Sequence, residues 1–204
     1  MKFSLTKNTK VEFGITFYQI KAEETRNGIN KGDLGGWVEK KENLGNKDNA
    51  WIYDNALVYG NARVFGNALV FGNARIFGNA WVFGKVLVFG NSRIFGDTQI
   101  YGNARVFDNA RIFGDARIFN NAWIYGDAQI YGNALVYGKL KISHGNFFGM
   151  RFNNEEIKYK KIRCGEELIY KGEAKFDDEE DDGVEKAIKL LTEKGKLKDG
   201  KILI

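Results

Sequence analysis

The sequence predicts a mainly β protein built around a parallel β-helix, and three observations predict it. Residues Asn49 to His144 keep a period of six without a gap through sixteen successive hexads. The repeated unit reads Asn-Ala-x-Val-Phe-Gly, and its fourth place is Val or Ile in every hexad. The chain of 204 residues also has 25 glycines and no proline, so turns with positive φ and an unbroken set of backbone N–H donors are available.

The alternation within each hexad predicts a four-residue strand followed by a two-residue corner. In Ala-x-Val-aromatic, the Ala and Val side chains fall on one face of the strand, and the Gly-Asn pair supplies a tight turn. Such a strand cannot bury its apolar face alone, so the units have to coil and stack. We expect three hexads in each coil of eighteen residues, and slightly more than five coils in all.

These hexads resemble those of the hexapeptide-repeat, left-handed parallel β-helix superfamily, in which an aliphatic residue is followed four positions later by a small one. Val58 followed by Ala62 has this spacing. The resemblance implies a left-handed coil and a homotrimer, because the superfamily is usually trimeric. The sequence departs from the family in the residue after the aliphatic one, which is Phe or Tyr in fifteen of the sixteen hexads.

Residues 1–48 precede the repeats and are predicted to form an N-terminal β cap. Alternating runs such as residues 15–20 indicate two or three antiparallel strands, which would cover the open end of the helix. Residues 31–40 resemble the opening of repeat proteins found in bacteriophages and prophages. That narrower group has no function that can be transferred to this chain.

Residues 145–204 follow the repeats, which occupy residues 49–144, and are predicted to form a C-terminal cap. Its first part is expected to contain strands with polar turns. The acidic run 177–182 precedes residues 184–191, which have helical spacing, so we expect a short helix there. The acidic run is interpreted as a solvated helix start, with a phosphate mimic or a cation site as the alternatives.

The low number of histidines argues against a catalytic or metal-binding function. The chain has one histidine, His144, and one cysteine, Cys164. Acyltransferases of the superfamily use a histidine as general base, and its γ-class carbonic anhydrases hold one metal through three histidines. We therefore predict that the protein is not an enzyme and has no metal or cofactor. An acyltransferase is the alternative, on fold analogy alone.

The aromatic slot forms three columns, because positions eighteen residues apart stack in the predicted coil. The rings either stack along each column and shield the backbone, or expose more apolar surface than a soluble monomer tolerates. The columns are Tyr53, Phe71, Phe89, Phe107 and Tyr125; Tyr59, Phe77, Phe95, Phe113 and Tyr131; and Phe65, Phe83, Tyr101, Phe119 and Tyr137.

The variable outward slot predicts two kinds of surface. An apolar stripe is the candidate for self-association, and it contains Trp51, Leu69, Leu87 and Trp123. A second column stacks arginines about 4.8 Å apart, which repel one another unless cation–π packing or an anion compensates. The candidate partner-binding residues are Arg75, Arg93 and Arg111 of this column, together with Arg105 and Arg117.

These features predict a non-catalytic, phage-type binding protein that presents a rigid surface to a macromolecular partner. We expect a homotrimer that binds a host protein, a nucleoprotein complex or a phosphate-bearing ligand, and that inhibits a bacterial defence system. Either an anti-CRISPR-type inhibitor or a sponge for a nucleotide signal would fit. A structural rod is a further alternative, which the missing Thr-x-Thr ladders disfavour. The start of the chain lacks the apolar stretch of a signal peptide, and nowhere do about 18 apolar residues run together. These features and the lone cysteine predict the host-cell cytoplasm and no membrane contact.

Overall fold

The computed structural model describes residues 2–149 and the short segments 156–158, 173–175, 197–198 and 201–202. These residues form a mainly β protein, a parallel β-solenoid of about six turns, which confirms the predicted β-helix. The helical element among them is one 3-10 turn, Lys41–Asn43. The predicted helix at residues 184–191 and the acidic run before it lie outside the described residues.

The chain begins with three antiparallel strands, β1 (Phe3–Glu12), β2 (Ile15–Ala22) and β3 (Leu34–Val38). A two-residue turn joins β1 to β2, with φ of 56° at Phe13 and 73° at Gly14. Paired positive φ angles give the turn the twist that a hairpin requires.

The repeats contribute short strands separated by corners. They are β4 (Trp51–Ile52), β5 (Leu57–Val58), β6 (Arg63–Val64), β7 (Leu69–Val70), β8 (Arg75–Ile76), β9 (Trp81–Val82), β10 (Leu87–Val88), β11 (Arg93–Ile94), β12 (Gln99–Ile100), β13 (Arg105–Val106), β14 (Arg111–Ile112), β15 (Arg117–Ile118), β16 (Trp123–Ile124), β17 (Gln129–Gly132), β18 (Leu135–Val136) and β19 (Lys141–Ile142). The described strands after them are β20 (Asn146–Gly149), β21 (Glu156–Lys158), β22 (Glu173–Lys175), β23 (Leu197–Lys198) and β24 (Lys201–Ile202).

Most repeat strands are two residues long, half of the predicted length. The corners bend the chain on both sides of the central x-Val pair, so only this pair keeps regular strand geometry. Hydrogen bonds to the next turn nevertheless continue beyond it. The Phe65 N–H donates to the Val82 carbonyl at 3.0 Å, and the Asn67 N–H donates to the Gly84 carbonyl at 2.7 Å.

Within the repeats, strands whose residues lie eighteen positions apart pair in parallel and in register. One sheet has nine strands in the order β1-β2-β3-β5-β8-β11-β14-β17-β20, a second has the order β19-β16-β13-β10-β7-β4, and a third has the order β21-β22-β18-β15-β12-β9-β6. Val88 of β10, for example, lies opposite Val106 of β13. Each slot of the hexad therefore forms a column parallel to the solenoid axis.

The core consists of the Ala and the Val or Ile slots, which the period predicts. Their side chains are buried from Ala50 to Ile142. Before the repeats, Val38 and Leu44 are also buried, opposite Val58 and Val64 of the following turn. The solenoid thus extends ahead of the hexads, which accounts for about six turns instead of slightly more than five.

The N-terminal end of the solenoid is closed by hydrogen-bond donors from Asn43 and Gly45. Each turn donates its N–H groups to the carbonyls of the following turn, so the first hexads need donors from the preceding residues. The Gly45 N–H donates to the Val64 carbonyl at 2.7 Å. Asn43, which is 0 % exposed, donates through Nδ2 to the carbonyls of Gly60 at 3.1 Å and Ala62 at 2.8 Å. The side-chain amide of Asn43 therefore supplies two hydrogen bonds that a preceding turn would otherwise donate.

Carboxylates accept hydrogen bonds from several corner amides. At the corners of the second, third and fourth hexads the pairs are Glu39 with Gly60 N–H at 2.6 Å, Asp48 with Gly66 N–H at 2.6 Å, and Asp54 with Gly72 N–H at 3.0 Å. Asp108 accepts in the same way from Gly126. Asp54 and Asp108 themselves occupy the Gly slot, with φ of 52° and 58°. Aspartate tolerates this left-handed conformation, and at both positions its side chain also binds an amide of the next turn.

Candidate functional site

The outer surface of the nine-stranded sheet brings three of the predicted arginines together, and we call it the arginine face. Arg75 lies opposite Arg93, and Arg93 lies opposite Arg111, on three consecutive turns. Arg75 is half-buried, whereas Arg93 and Arg111 are exposed. Neither exposed guanidinium forms an ion pair with a carboxylate among the residues that the structure describes. The face therefore has local positive charge that the described part of the chain does not neutralise.

The tip of the β1–β2 hairpin folds over the N-terminal end of the arginine face. The Phe13 ring stacks on Tyr59 with centroids 6.3 Å apart, and the buried Phe17 ring meets Tyr59 edge to face at 5.4 Å. The Cζ atom of Arg75 lies 4.8 Å from the centroid of Phe13. Cation–π packing thus stabilises one of the three arginines, but its partner belongs to the hairpin and not to the repeats.

A groove of about 420 Å³ lies between this hairpin and the arginine face. Lys10 and Glu12 of β1 line one side and pair with each other at 3.0 Å. Leu57 and Arg75 contribute from the sheet. Asparagines complete the lining from the adjacent corner, and they are Asn55, Asn73 and Asn91. The groove combines an arginine, an ion pair and a row of amides above the buried Leu57 side chain.

Burial changes the titration of Tyr59, which lies beneath the hairpin. Loss of solvent raises the pKa of its phenol above the ordinary value of 10.0, and the guanidinium groups of Arg75 and Arg93 oppose that rise. The phenol therefore stays protonated at neutral pH and retains a hydrogen to donate.

The aromatic slot forms stacked columns on all three faces. Successive rings lie 4.8–5.1 Å apart between centroids, with interplanar angles of at most 9°. Tyr53 is paired instead with Trp51, at 6.5 Å and 76°. Because each ring covers the faces of its neighbours, the outer surface presents mainly ring edges.

The outer surface of the six-stranded sheet, which we call the tryptophan face, differs from the predicted apolar stripe at one end. Trp51 is 0 % exposed, and Arg26 covers its ring at 5.7 Å. The expectation that Trp51 is available for self-association is therefore wrong, because the N-terminal cap buries it. Burial also lowers the pKa of this arginine.

The rest of the tryptophan face is partly exposed. Trp123 lies between two cations, with Arg105 Cζ at 4.7 Å and Lys141 Nζ at 4.4 Å from its ring centroid. Leu69 and Leu87 are half-buried and lie opposite each other. The stripe predicted for self-association is thereby reduced to Leu69, Leu87 and Trp123.

The remaining predicted arginine, Arg117, lies on the seven-stranded sheet, opposite Gln99 and Leu135. It lines a separate groove of about 390 Å³ beside Asp97 and Asp115. The five candidate arginines are thus distributed over three faces, and only Arg75, Arg93 and Arg111 form one column. Phe13 and Lys10 were missed by the sequence interpretation because they lie outside the repeats.

The lone histidine, His144, is exposed, and its Nδ1 lies 2.8 Å from Ser143 Oγ. Within the described ranges, no group of three or more His, Cys, Asp or Glu side chains could hold a metal ion. Over the same residues, no helix has the length and apolar character needed to span a membrane.

Comparison with known proteins supports the repeat architecture. A family model, the YdcK beta solenoid repeat, matches the chain at residues 50–64, 58–70, 99–111, 110–126 and 128–140. No curated protein matches the chain. Together, the fold and the family matches define a β-solenoid repeat protein. The chain is similar to the YdcK beta solenoid repeat over the segments named.

Proposed function

We propose that this chain is a non-catalytic binding protein that presents a rigid β-solenoid surface to a macromolecular partner. The arginine column supports the proposal most directly. Arg93 and Arg111 are exposed and lack a carboxylate partner among the described residues. Guanidinium groups bind carboxylates and phosphates through charge-assisted hydrogen bonds. A surface fixed by stacked turns also loses little conformational freedom on binding.

The proposal extends to the architecture and source of the chain. We take it to be a left-handed coil of the hexapeptide-repeat superfamily with three hexads per turn. The eighteen-residue register and the four-residue spacing from Val58 to Ala62 support this interpretation. The similarity of residues 31–40 to phage-encoded repeat proteins supports a phage source. A component of a bacterial defence system in the host cytoplasm is then the proposed partner.

Affinity capture with a matched pair of variants tests the binding function. The immobilised protein is exposed to bacterial lysate, and retained macromolecules are identified for the wild type, for R93E/R111E and for R105E/R117E. The two variants change the net charge equally, but on different faces. We expect a partner that R105E/R117E retains and R93E/R111E loses. A wild-type protein that retains nothing beyond the blank matrix would overturn the proposal.

The catalytic alternative makes a different prediction about His144. A general base is needed for turnover, whereas a binding protein does not need an exposed histidine at the end of its repeats. We expect His144→Ala to capture the same partner and to keep the same biological effect. Loss of effect in a folded, partner-binding His144→Ala protein would favour an acyltransferase.

A further inference from the structure

We propose that the groove between the β1–β2 hairpin and the arginine face holds an acidic, partly apolar peptide segment of a protein partner. The segment would continue from the groove over Arg93 and Arg111. This inference rests on the proposed binding function and assigns it a location and a partner chemistry.

The charges of the groove favour carboxylates. Among the residues that the structure describes, Glu12 is the only acidic side chain that lines it, and this carboxylate is paired with Lys10 at 3.0 Å. Arg75 has no ion pair among the described residues, nor have Arg93 and Arg111 on the next two turns. The neighbouring rings Phe77, Phe95 and Phe113 present edges, and ring edges carry partial positive charge. The three arginines therefore give the strip unpaired positive charge, which complements an acidic partner.

The groove also has features that a peptide can use and a simple anion cannot. Phe13, which is 60 % exposed, lies over Arg75 and offers an apolar surface, whereas Leu57 is 2 % exposed and only forms the floor of the groove. An apolar side chain of the partner can contact the Phe13 ring. The groove is thus suited to a segment in which acidic and apolar side chains alternate.

The corner asparagines offer partners for a peptide backbone. Asn73 donates from Nδ2 to the Oδ1 atom of Asn91 at 3.2 Å, and Asn91 donates in turn to Asn109 at 3.3 Å. Each amide carries two hydrogens and an oxygen with two lone pairs. At least one hydrogen and one lone pair therefore remain on the side-chain amides of Asn73 and Asn91. Backbone groups of an extended peptide can pair with them.

Single-stranded nucleic acid fits this surface less well. Proteins that bind it without sequence preference stack bases on the faces of aromatic rings. Along the arginine face those ring faces are already covered, because Phe77, Phe95 and Phe113 stack on one another at 4.8–5.0 Å. Phosphates could still contact the arginines, but the bases would lack stacking partners. A protein partner is therefore the better match.

The test is a binding titration monitored by fluorescence anisotropy. It uses three labelled probes, each about a dozen residues or nucleotides long. They are a peptide alternating Glu and Val, a peptide alternating Gln and Val, and a single-stranded oligothymidylate. We expect the wild type to bind the Glu peptide at least about tenfold more tightly than either other probe, and binding to weaken as salt rises. Tighter binding of the oligothymidylate would overturn the protein partner class.

Two variants locate the site. R93E/R111E is expected to weaken binding of the Glu peptide about tenfold or more, whereas R105E/R117E, with the same charge change on other faces, stays within about twofold of the wild type. Asn73→Asp places a negative charge in the groove and should also weaken binding, with an unchanged circular dichroism spectrum. Equal losses in both arginine variants would overturn the inference, because binding would then follow net charge alone.

Failure of this inference can be separated from failure of the proposed function. If the Glu peptide does not bind but R93E/R111E still loses a captured partner, the acidic peptide is wrong and the binding function stands. If the wild type captures no partner at all, the binding function itself fails.

Discussion

The guanidinium carbon of Arg75 lies 4.8 Å from the ring centroid of Phe13, which joins the hairpin tip to the repeats. Phe13 also stacks on Tyr59, the first ring of the aromatic column on this face. The hairpin therefore does not only cover the end of the solenoid but also contacts its outer surface. It continues the aromatic column across the outer surface and forms one wall of the groove.

Phe17→Ala tests how the hairpin is held on the solenoid. Phe17 is 0 % exposed and packs against Tyr59, so its removal should destabilise the hairpin by about 3–5 kcal/mol. We expect faster hydrogen exchange in β1 and β2, and little change in the central turns. Phe13→Ala is the matched control, with a loss of at most about 1 kcal/mol, because its ring is mostly exposed. Equal effects of the two substitutions would contradict this account.

Asn43→Ala tests the closure of the first turn. The substitution leaves the carbonyls of Gly60 and Ala62 without the Asn43 donor, and each unsatisfied buried group costs about 1–3 kcal/mol. We expect the free energy of unfolding of the N-terminal region to fall by about 2–6 kcal/mol in a urea titration. Asn133→Ala, at an exposed corner, should change it by less than about 0.5 kcal/mol. An unchanged Asn43→Ala protein would show that solvent replaces the amide.

Two substitutions of Gly78 test the corner geometry. Gly78 has φ of 70°, and a Cβ atom there would lie 2.9 Å from the Gly96 nitrogen. We expect Gly78→Ala to lower the free energy of unfolding by about 2 kcal/mol or more. Gly78→Asp should be less harmful, because its carboxylate can accept from the Gly96 N–H as Asp108 does from Gly126. Thermal denaturation of both variants is the measurement, and a more stable alanine variant would refute the role of the carboxylate.

The repeats made the core predictable from the sequence, because a strict period assigns each slot to one side of the chain. The inward Ala and Val slots and the outward column of Arg75, Arg93 and Arg111 follow from counting eighteen residues. Stacking of the aromatic rings was one of two open interpretations. The structure shows stacking, because successive rings are nearly parallel with centroids 4.8–5.1 Å apart.

The cap contacts could not be predicted, because they join residues outside the period to residues within it. Arg26 over Trp51 and Phe13 over Arg75 depend on how the chain before the repeats folds back. Nothing in the spacing of Trp51 distinguishes it from Trp123, yet the cap buries the first and leaves the second partly exposed. The hairpin also forms one wall of the groove. The sequence therefore predicted the arginine column of the candidate site but not the groove.

Alkaline pH should destabilise the protein through Tyr59. Burial raises the pKa of the folded-state phenol above 10.0, so the unfolded chain releases this proton first. The stability from the protonated phenol is fully present below pH 10.0 and is lost as the pH rises through the folded-state pKa. Tyr59→Phe keeps the stacked ring and should lose less stability above that pH in urea titrations. Parallel pH profiles for Tyr59→Phe and the wild type would contradict the assignment.

The tryptophan face supports a last prediction, about self-association. Leu69 and Leu87 are half-buried and lie on adjacent turns, so a trimer packed through this face would cover them. We expect a solution mass about three times the chain mass of 23.1 kDa. L69K/L87K should dissociate the trimer without unfolding it, because both residues occupy the outward slot and are only half-buried, so that lysine can extend into solvent.

Trp81→Lys is the control for that experiment, since Trp81 is 43 % exposed but lies on the seven-stranded sheet. It should leave the mass unchanged in analytical ultracentrifugation. Trp51 is unsuitable for the test because a lysine there would disrupt the packing under the cap. A wild type that sediments as a monomer at micromolar concentration would refute the trimer. If the trimer persists in L69K/L87K but is lost in Trp81→Lys, the interface lies on the seven-stranded sheet instead.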